Sequence, residues 1–148
     1  MMTDSLVKLF KRDLNTLKIE IESYKNENNL WLIGDEIKNS AGNLCLHLVG
    51  NLNTFIGATL GDTGYVRQRD LEFSLKNIPR KELIEQIEDV TTIVVSTLKT
   101  LTEADMQKEY KRRVNEDFMT TEFFLMYLTI HLAYHLGQIN YHRRLLDK

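Results

Sequence analysis

The sequence is poor in the residues that interrupt regular structure. Its 148 residues include only one proline and seven glycines, so there are few points at which a helix or strand must end. A single cysteine excludes an intramolecular disulfide framework and is typical of the reducing cytoplasm. We therefore expect a few long elements rather than many short ones, in a cytoplasmic protein.

Excess charge and long apolar runs are also missing. Nineteen basic against 21 acidic residues give a net charge of −2, which argues against nucleic-acid binding through a basic patch. The most apolar run, residues 123–136, is too short to span a bilayer and contains two histidines. The amino terminus has no apolar signal-peptide region. The sequence predicts one soluble domain over residues 1–148, with neither a membrane nor a nucleic acid as partner.

Four stretches of the chain repeat apolar residues at helical spacing. They cover residues 3–25, 37–61, 79–101 and 121–146, and each is long enough for about five turns or more. Four such helices predict an all-α, four-helix bundle. The charged connection at 102–118 has little helical periodicity and is predicted to include a short strand or hairpin.

The fourth helix carries a histidine stripe. His131 and His135 lie one turn apart, and Gln138 and His142 continue the same narrow sector at about 100° per residue. Two imidazoles spaced in this way can bind one metal ion, but a pair of hydrogen-bonded core histidines would show the same spacing. His142 lies about 10 Å along the axis from His135, too far to join that ion, and is predicted to be a rim residue.

The second helix places polar residues beside an apolar stripe, and His47 is among them. Glycines at 42, 50 and 57 lower its helix propensity, which indicates either close approach by a neighbour or simple rescue by packing. Cys45 is predicted to be a small buried hydrophobe. Since bundles bring facing helices together around one site, His47 is the candidate third ligand. Three imidazoles leave an open position on zinc or nickel, as in catalytic sites.

Three motifs together resemble the DinB-like helical-bundle superfamily, in its uncharacterised branch, over nearly the whole chain. They are N-L-x-x-H-L-x-x-N at 43–51, G-Y-V-R-x-R-D-x-E-F at 64–73 and H-L-x-x-H-x-G-Q-I at 131–139. The resemblance implies an up-up-down-down four-helix bundle with a divalent metal, commonly nickel or zinc. Its ligands, one histidine on the second helix and two on the fourth, correspond to His47, His131 and His135.

The resemblance also implies a function, because members of known activity resemble metal-dependent thiol transferases that use bacillithiol or mycothiol, or related isomerases. Many members are dimers, so a homodimer is expected. The alternative is a non-catalytic, stress-related binding module with a structural or incidental metal, which the lack of a carboxylate base among the predicted lining residues favours.

Residues around the three histidines complete the predicted site. Asn43 and Asn51 lie one turn on either side of His47 and are expected to line the site or to hydrogen-bond its ligands, as is Gln138. The mixed charges of the 65–79 loop are compatible with a solvated connection, with a staple across the bundle, or with anion binding. In the last case Arg67 and Arg69 would contact carboxylates of a cosubstrate.

Overall fold

Helices form most of the computed structural model, which describes residues 1–114 and 117–148. Four long helices are joined by connections that contain two short ones, so the predicted all-α bundle is confirmed. In chain order the helices are α1 (Met2–Glu22), α2 (Ala41–Gly61, with a π-helical stretch at Asn53–Ala58), α3 (Arg69–Ser74), α4 (Arg80–Thr100), α5 (Glu103–Gln107) and α6 (Thr121–Leu146). A 3₁₀ helix, Glu27–Trp31, lies between α1 and α2.

Short polar side chains begin the two helices that matter most for the site. The Ser40 hydroxyl accepts a hydrogen bond from the Asn43 backbone N–H at the start of α2, and Thr120 does the same for Phe123 at the start of α6. Each cap satisfies one of the N–H groups that a helix leaves free. The apolar stripes of α1, α2, α4 and α6 then meet in one core.

The four long helices run up, down, down, up, rather than in the expected up-up-down-down order. Residue numbers rise together along α2 and α4, whereas they run in opposite senses along α1 and α4 and along α2 and α6. For the parallel helices α2 and α4 the neighbouring residues are Gly57–Ile93 and Gly61–Thr97. For the antiparallel helices they are Glu22–Arg80 and Lys18–Glu88 between α1 and α4, and His47–His131 and Phe55–Phe124 between α2 and α6. Apolar periodicity does not encode helix direction, and the connections between the long helices (residues 23–40, 62–79 and 101–120) are too similar in length to reveal it.

The connection between α2 and α4 runs back along the bundle because these two helices are parallel, and it carries α3 past the middle of α2. The side-chain amide of Asn43 donates to the backbone carbonyls of Glu72 (2.9 Å) and Leu75 (2.8 Å). These hydrogen bonds attach the connection between α2 and α4, called the crossover below, to α2. The Glu72 side chain therefore lies within reach of the α2 residues one and two turns after Asn43.

Two glycines of α2 are needed where neighbours approach closely, as one of the two interpretations predicted. A Cβ on Gly42 would lie 2.6 Å from the Trp31 ring, and a Cβ on Gly50 would lie 2.0 Å from Glu72 Oε2. Trp31 is only partly buried against the core, whereas Leu30 beside it is fully buried. Cys45 is fully buried, as predicted, and burial raises the pKa of its thiol to about 12.

By length and composition α2 could cross a membrane, since its 21 residues include an 18-residue window of mean hydropathy 1.2. Within the bundle 67% of that window is buried, as expected for a helix that contributes to the core.

The 102–118 connection contains a helix where a strand or hairpin was expected. Thr102 caps α5 by accepting from the Asp105 N–H, and after α5 two isolated antiparallel bridges, Glu109–Thr120 and Val114–Asp117, take the place of a strand. The part of the prediction that falls on Asn115 and Glu116 lies outside the described residues.

Candidate metal centre

The antiparallel packing of α2 against α6 brings the three predicted histidines together. His47 Nε2 lies 3.3 Å from His131 Nε2, and ligand atoms of His47, His131 and His135 all lie within 4.8 Å of one another. In a tetrahedral zinc site with bonds of about 2.0–2.1 Å, neighbouring nitrogens are about 3.3 Å apart. The closest pair therefore already has the separation that two ligands of one ion require.

Hydrogen bonds on the far side of two rings orient them toward the centre. His47 Nδ1 lies 3.0 Å from Glu72 Oε1, and His135 Nδ1 lies 2.7 Å from Gln138 Oε1. Both oxygens only accept, so each Nδ1 carries a proton and, in the neutral ring, each Nε2 keeps a free lone pair. This arrangement, in which the second nitrogen is held by a neighbour, is usual for histidines that bind metals.

Three buried polar atoms of α2 and α6 have no hydrogen-bond partner. Among the described residues they are Asn51 Oδ1 and Thr54 Oγ1 on α2 and His131 Nδ1 on α6. An unpaired buried polar atom costs about 1–3 kcal/mol, and such groups usually indicate a bound water, an ion or a functional role. The donor set, three imidazoles whose ligand atoms lie close together, fits a metal ion.

The electrostatic environment favours neutral imidazoles. Burial, followed by the nearby positive charges of His135, His47 and Arg67, lowers the pKa of His131 to about 4. Burial also lowers the pKa of His135, although its hydrogen bond to Gln138 acts in the opposite direction. Since only the unprotonated nitrogen binds a metal, these two ligands are ready to bind at neutral pH.

Glu72 is the functional residue that the sequence reasoning missed. Its side chain is 6% exposed, and besides His47 it accepts two hydrogen bonds from Arg67, at 2.8 Å from Nε and 2.9 Å from the terminal nitrogen. Burial alone would raise the pKa of this carboxyl, but the hydrogen bonds from His47 and Arg67 outweigh burial and lower it. An ionised carboxylate therefore supports a candidate ligand, where none was expected.

Asn43, predicted to line the site, and Arg67, a predicted anion contact, have other partners in the structure. Asn43 holds the crossover rather than facing the histidines, and it affects His47 through the Glu72 segment. Arg67 is paired with Glu72 and is not a free anion contact, because the carboxylate in its own loop neutralises it. Arg69 is exposed and lies over the Phe73 ring at 5.2 Å, and that ring lies 5.0 Å from the His47 ring.

His142 is a core histidine, and the prediction of a rim residue was wrong. It is 3% exposed, its Nδ1 lies 2.7 Å from the Tyr24 hydroxyl, and its Nε2 donates to the Leu32 carbonyl at 2.8 Å. This part of the histidine stripe is buried because the carboxyl end of α6 packs on α1 and on the connection that follows α1.

A cleft of about 400 Å³ lies toward the carboxyl end of α6, lined in part by Gln138 and His142 but by none of the three clustered histidines. Gln138 links the two, because it hydrogen-bonds His135 and also lines the cleft. The cleft has apolar and polar walls, formed in part by Lys38, Leu44, Gln138, Tyr141 and Leu145. Its volume lies within the range of small-molecule sites.

Comparison with known proteins agrees with this architecture. Residues 4–148 match the model of the family described as "Protein of unknown function (DUF1572)", and no curated protein matches significantly. A crystal structure of a DinB-like protein from Bacillus cereus ATCC 10987 superposes with a TM-score of 0.76 at 16% identity, covering 96% of this chain and 91% of that one. The chain belongs to the DUF1572 family and has the DinB-like helical-bundle fold.

Proposed function

We propose that this protein binds a divalent metal ion through His47, His131 and His135 and uses it to transfer a low-molecular-weight thiol, such as bacillithiol, to an electrophilic substrate. The observation that carries the proposal is the 3.3 Å approach of two Nε2 atoms, one of them on a ring that Glu72 holds from behind. Nickel or zinc is the proposed metal, since imidazole suits both.

Each residue around the histidines has a distinct role in this proposal. The bound metal would supply one effect, a lowered pKa of the thiol that keeps it in its nucleophilic thiolate form. Glu72 accepts a hydrogen bond from the Nδ1–H of His47, which fixes the ring and makes Nε2 a stronger electron-pair donor to a metal. Arg67 keeps Glu72 charged, and Gln138 orients His135.

The cleft beside Gln138 is the proposed binding site for the thiol. Lys38 on its wall and Arg69 near His47 offer cations to the carboxylates that such thiols carry. In the transfer, the thiol sulfur forms a bond to the electrophilic carbon, and the leaving group departs with the proton that the thiol gives up.

The test uses protein loaded with cobalt, whose absorption spectrum reports sulfur coordination. Titration with bacillithiol should produce a saturable sulfur-to-cobalt absorption band in wild type and none in His47→Ala. Isothermal titration of the zinc-loaded protein should give the same affinity. A fully metal-loaded wild type whose spectrum and heat do not change with thiol would contradict the proposed transferase.

The second candidate is a non-catalytic binding module whose metal is structural. One observation favours it: Glu72 is already committed to Arg67 and His47 and is not free to act as a general base. This candidate predicts that added metal raises the melting temperature whereas thiol changes neither the spectrum nor the heat of binding.

A further inference from the structure

One wall of the cleft is formed by a short irregular segment between α1 and α2, residues 32–39, which we call the strap. The opposite wall is regular structure, formed by the last turns of α6 and by Leu44 of α2. The strap contributes four consecutive lining residues, Glu36, Ile37, Lys38 and Asn39. The cleft therefore has one wall built from helices and one built from a loop.

The strap is fixed at both ends and bonded only to itself between them. At its start the Leu32 carbonyl accepts a hydrogen bond from His142 Nε2 at 2.8 Å, and at its end the fully buried Ser40 caps α2. Between these points Gly34 and Ile37 exchange two backbone hydrogen bonds, at 3.0 and 3.2 Å. No further hydrogen bond joins the middle of the strap to the rest of the described chain. A segment held only at its ends can open and close at low cost.

Both walls of the cleft expose apolar side chains to water. Tyr141 and Leu145 on the α6 wall are 63% and 56% exposed. On the strap Ile33 is 62% exposed, and Ile37 is half-buried. Movement of the strap toward α6 would remove apolar surface on both walls from water, which is favourable. A ligand is needed to fill the space between them, since a closed but empty cleft would leave a void.

The charges of the cleft belong to the strap. Of the described residues that line the cleft, only Glu36 and Lys38 are charged at neutral pH, since burial lowers the pKa of His142. Both side chains are exposed, and neither forms an ion pair with another described residue. Opposite charges two positions apart, with no partner in the described chain, are complementary to a ligand that carries both an ammonium group and a carboxylate.

We infer that the strap is a lid that closes over a thiol bearing an ammonium group and carboxylates, with Glu36 binding the ammonium and Lys38 a carboxylate. Bacillithiol has both kinds of group, whereas mycothiol has neither. Closure would cover Tyr141 and Leu145 and exclude water from the cleft. The inference rests on the proposed function for the kind of ligand, and it adds the charge pattern of that ligand and the segment that recognises it.

An analogue whose sulfur is blocked tests the lid separately from any metal chemistry. Isothermal titration of the untagged full chain with S-methyl bacillithiol should show saturable binding, and hydrogen exchange of residues 33–39 should slow about tenfold in the complex. Glu36→Gln and Lys38→Gln should each weaken binding about tenfold, because each removes one charge-assisted contact. Asp35→Asn is the matched control, since Asp35 is an exposed, charged residue of the strap that does not line the cleft; it should bind like wild type.

The charge pattern is tested by changing the ligand together with the protein. N-acetylation of the analogue removes its ammonium charge, so it should weaken binding to wild type about tenfold and leave the affinity of Glu36→Gln unchanged. Equal affinity of wild type, Glu36→Gln and Lys38→Gln would overturn the inference, as would binding without slower exchange in the strap, or no binding at all. Because the methylated sulfur cannot form a thiolate, these results are independent of the cobalt spectrum that tests the proposed transferase.

Discussion

Two histidines of α6, His142 and His131, have different hydrogen-bonding environments. His142 has a partner for each nitrogen, Tyr24 on one side and Leu32 on the other. His131 lies about three turns away on the same stripe, yet its Nδ1 is buried without a partner among the described residues and its Nε2 faces that of His47 at 3.3 Å.

The difference separates a structural histidine from a candidate ligand. A ring whose two nitrogens are both satisfied gains nothing from a metal and serves as a hydrogen-bonded link between helices. Rings whose lone pairs converge, two of them with Nδ1 held by Glu72 or Gln138, gain a common partner when a cation binds. His142 and His131 are the same residue type on the same helical stripe. Only their hydrogen-bond partners therefore distinguish the structural histidine from the candidate ligand.

The largest expected contrast is in stability. In metal-free protein His142→Leu should lower the free energy of unfolding by about 2–4 kcal/mol, because the buried Tyr24 hydroxyl and Leu32 carbonyl each lose a partner. His131→Leu should change it by less than about 1 kcal/mol, or raise it, because this substitution removes an unpaired buried atom. Urea denaturation measures the free energy of unfolding of both variants. Equal losses in the two would contradict the difference drawn between His142 and His131.

The next contrast is between two buried carboxylate–arginine pairs. Glu72→Gln should weaken metal binding about 10–100-fold, since the acceptor behind His47 loses its charge. Glu20→Gln is the matched control: Glu20 is also buried and lies 2.7 Å from Arg143 Nε, at the His142 end of the bundle. A competition titration with a zinc chelator should give wild-type affinity for this control. Equal affinity in both variants would mean that Glu72 does not support a ligand.

A further contrast concerns pH. The pKa of His131 is lowered to about 4 in the folded protein, below the ordinary value near 6.5 that an unfolded chain has. Below pH 6.5 the unfolded chain therefore binds more protons, so stability is full above pH 6.5 and is lost as the pH falls toward 4. Melting temperatures of metal-free wild type should fall over this range, and His131→Leu should show a shallower decline. Parallel curves would contradict this assignment.

Much of the fold could be predicted from the sequence, because each of four long stretches repeats apolar residues at helical spacing and little interrupts them. The histidine set could also be named, since His131 and His135 share a face and motif resemblance supplied His47. The structure adds that all three meet. Helix direction was predicted wrongly, because a stripe looks the same whichever way the helix runs.

Partners that come from distant parts of the chain could not be predicted. Glu72 reaches His47 only because the crossover returns along α2, and a mixed-charge loop gives no sign of this in one dimension. The one local signal was Gly50, whose lack of a side chain makes room for that carboxylate. His142 was misplaced for a similar reason, since Tyr24 and Leu32 lie more than 100 positions away in sequence.

The most direct measurement is the metal content of untagged protein, determined by elemental analysis after exposure to zinc or nickel. Wild type and the structural control His142→Leu should each hold about one ion per chain, whereas His47→Ala and His135→Ala should hold almost none, since each loses one of three ligands. Folding of every variant is checked by circular dichroism. A folded wild type that takes up neither metal, or a His47→Ala variant that keeps it, would contradict a site shared between α2 and α6.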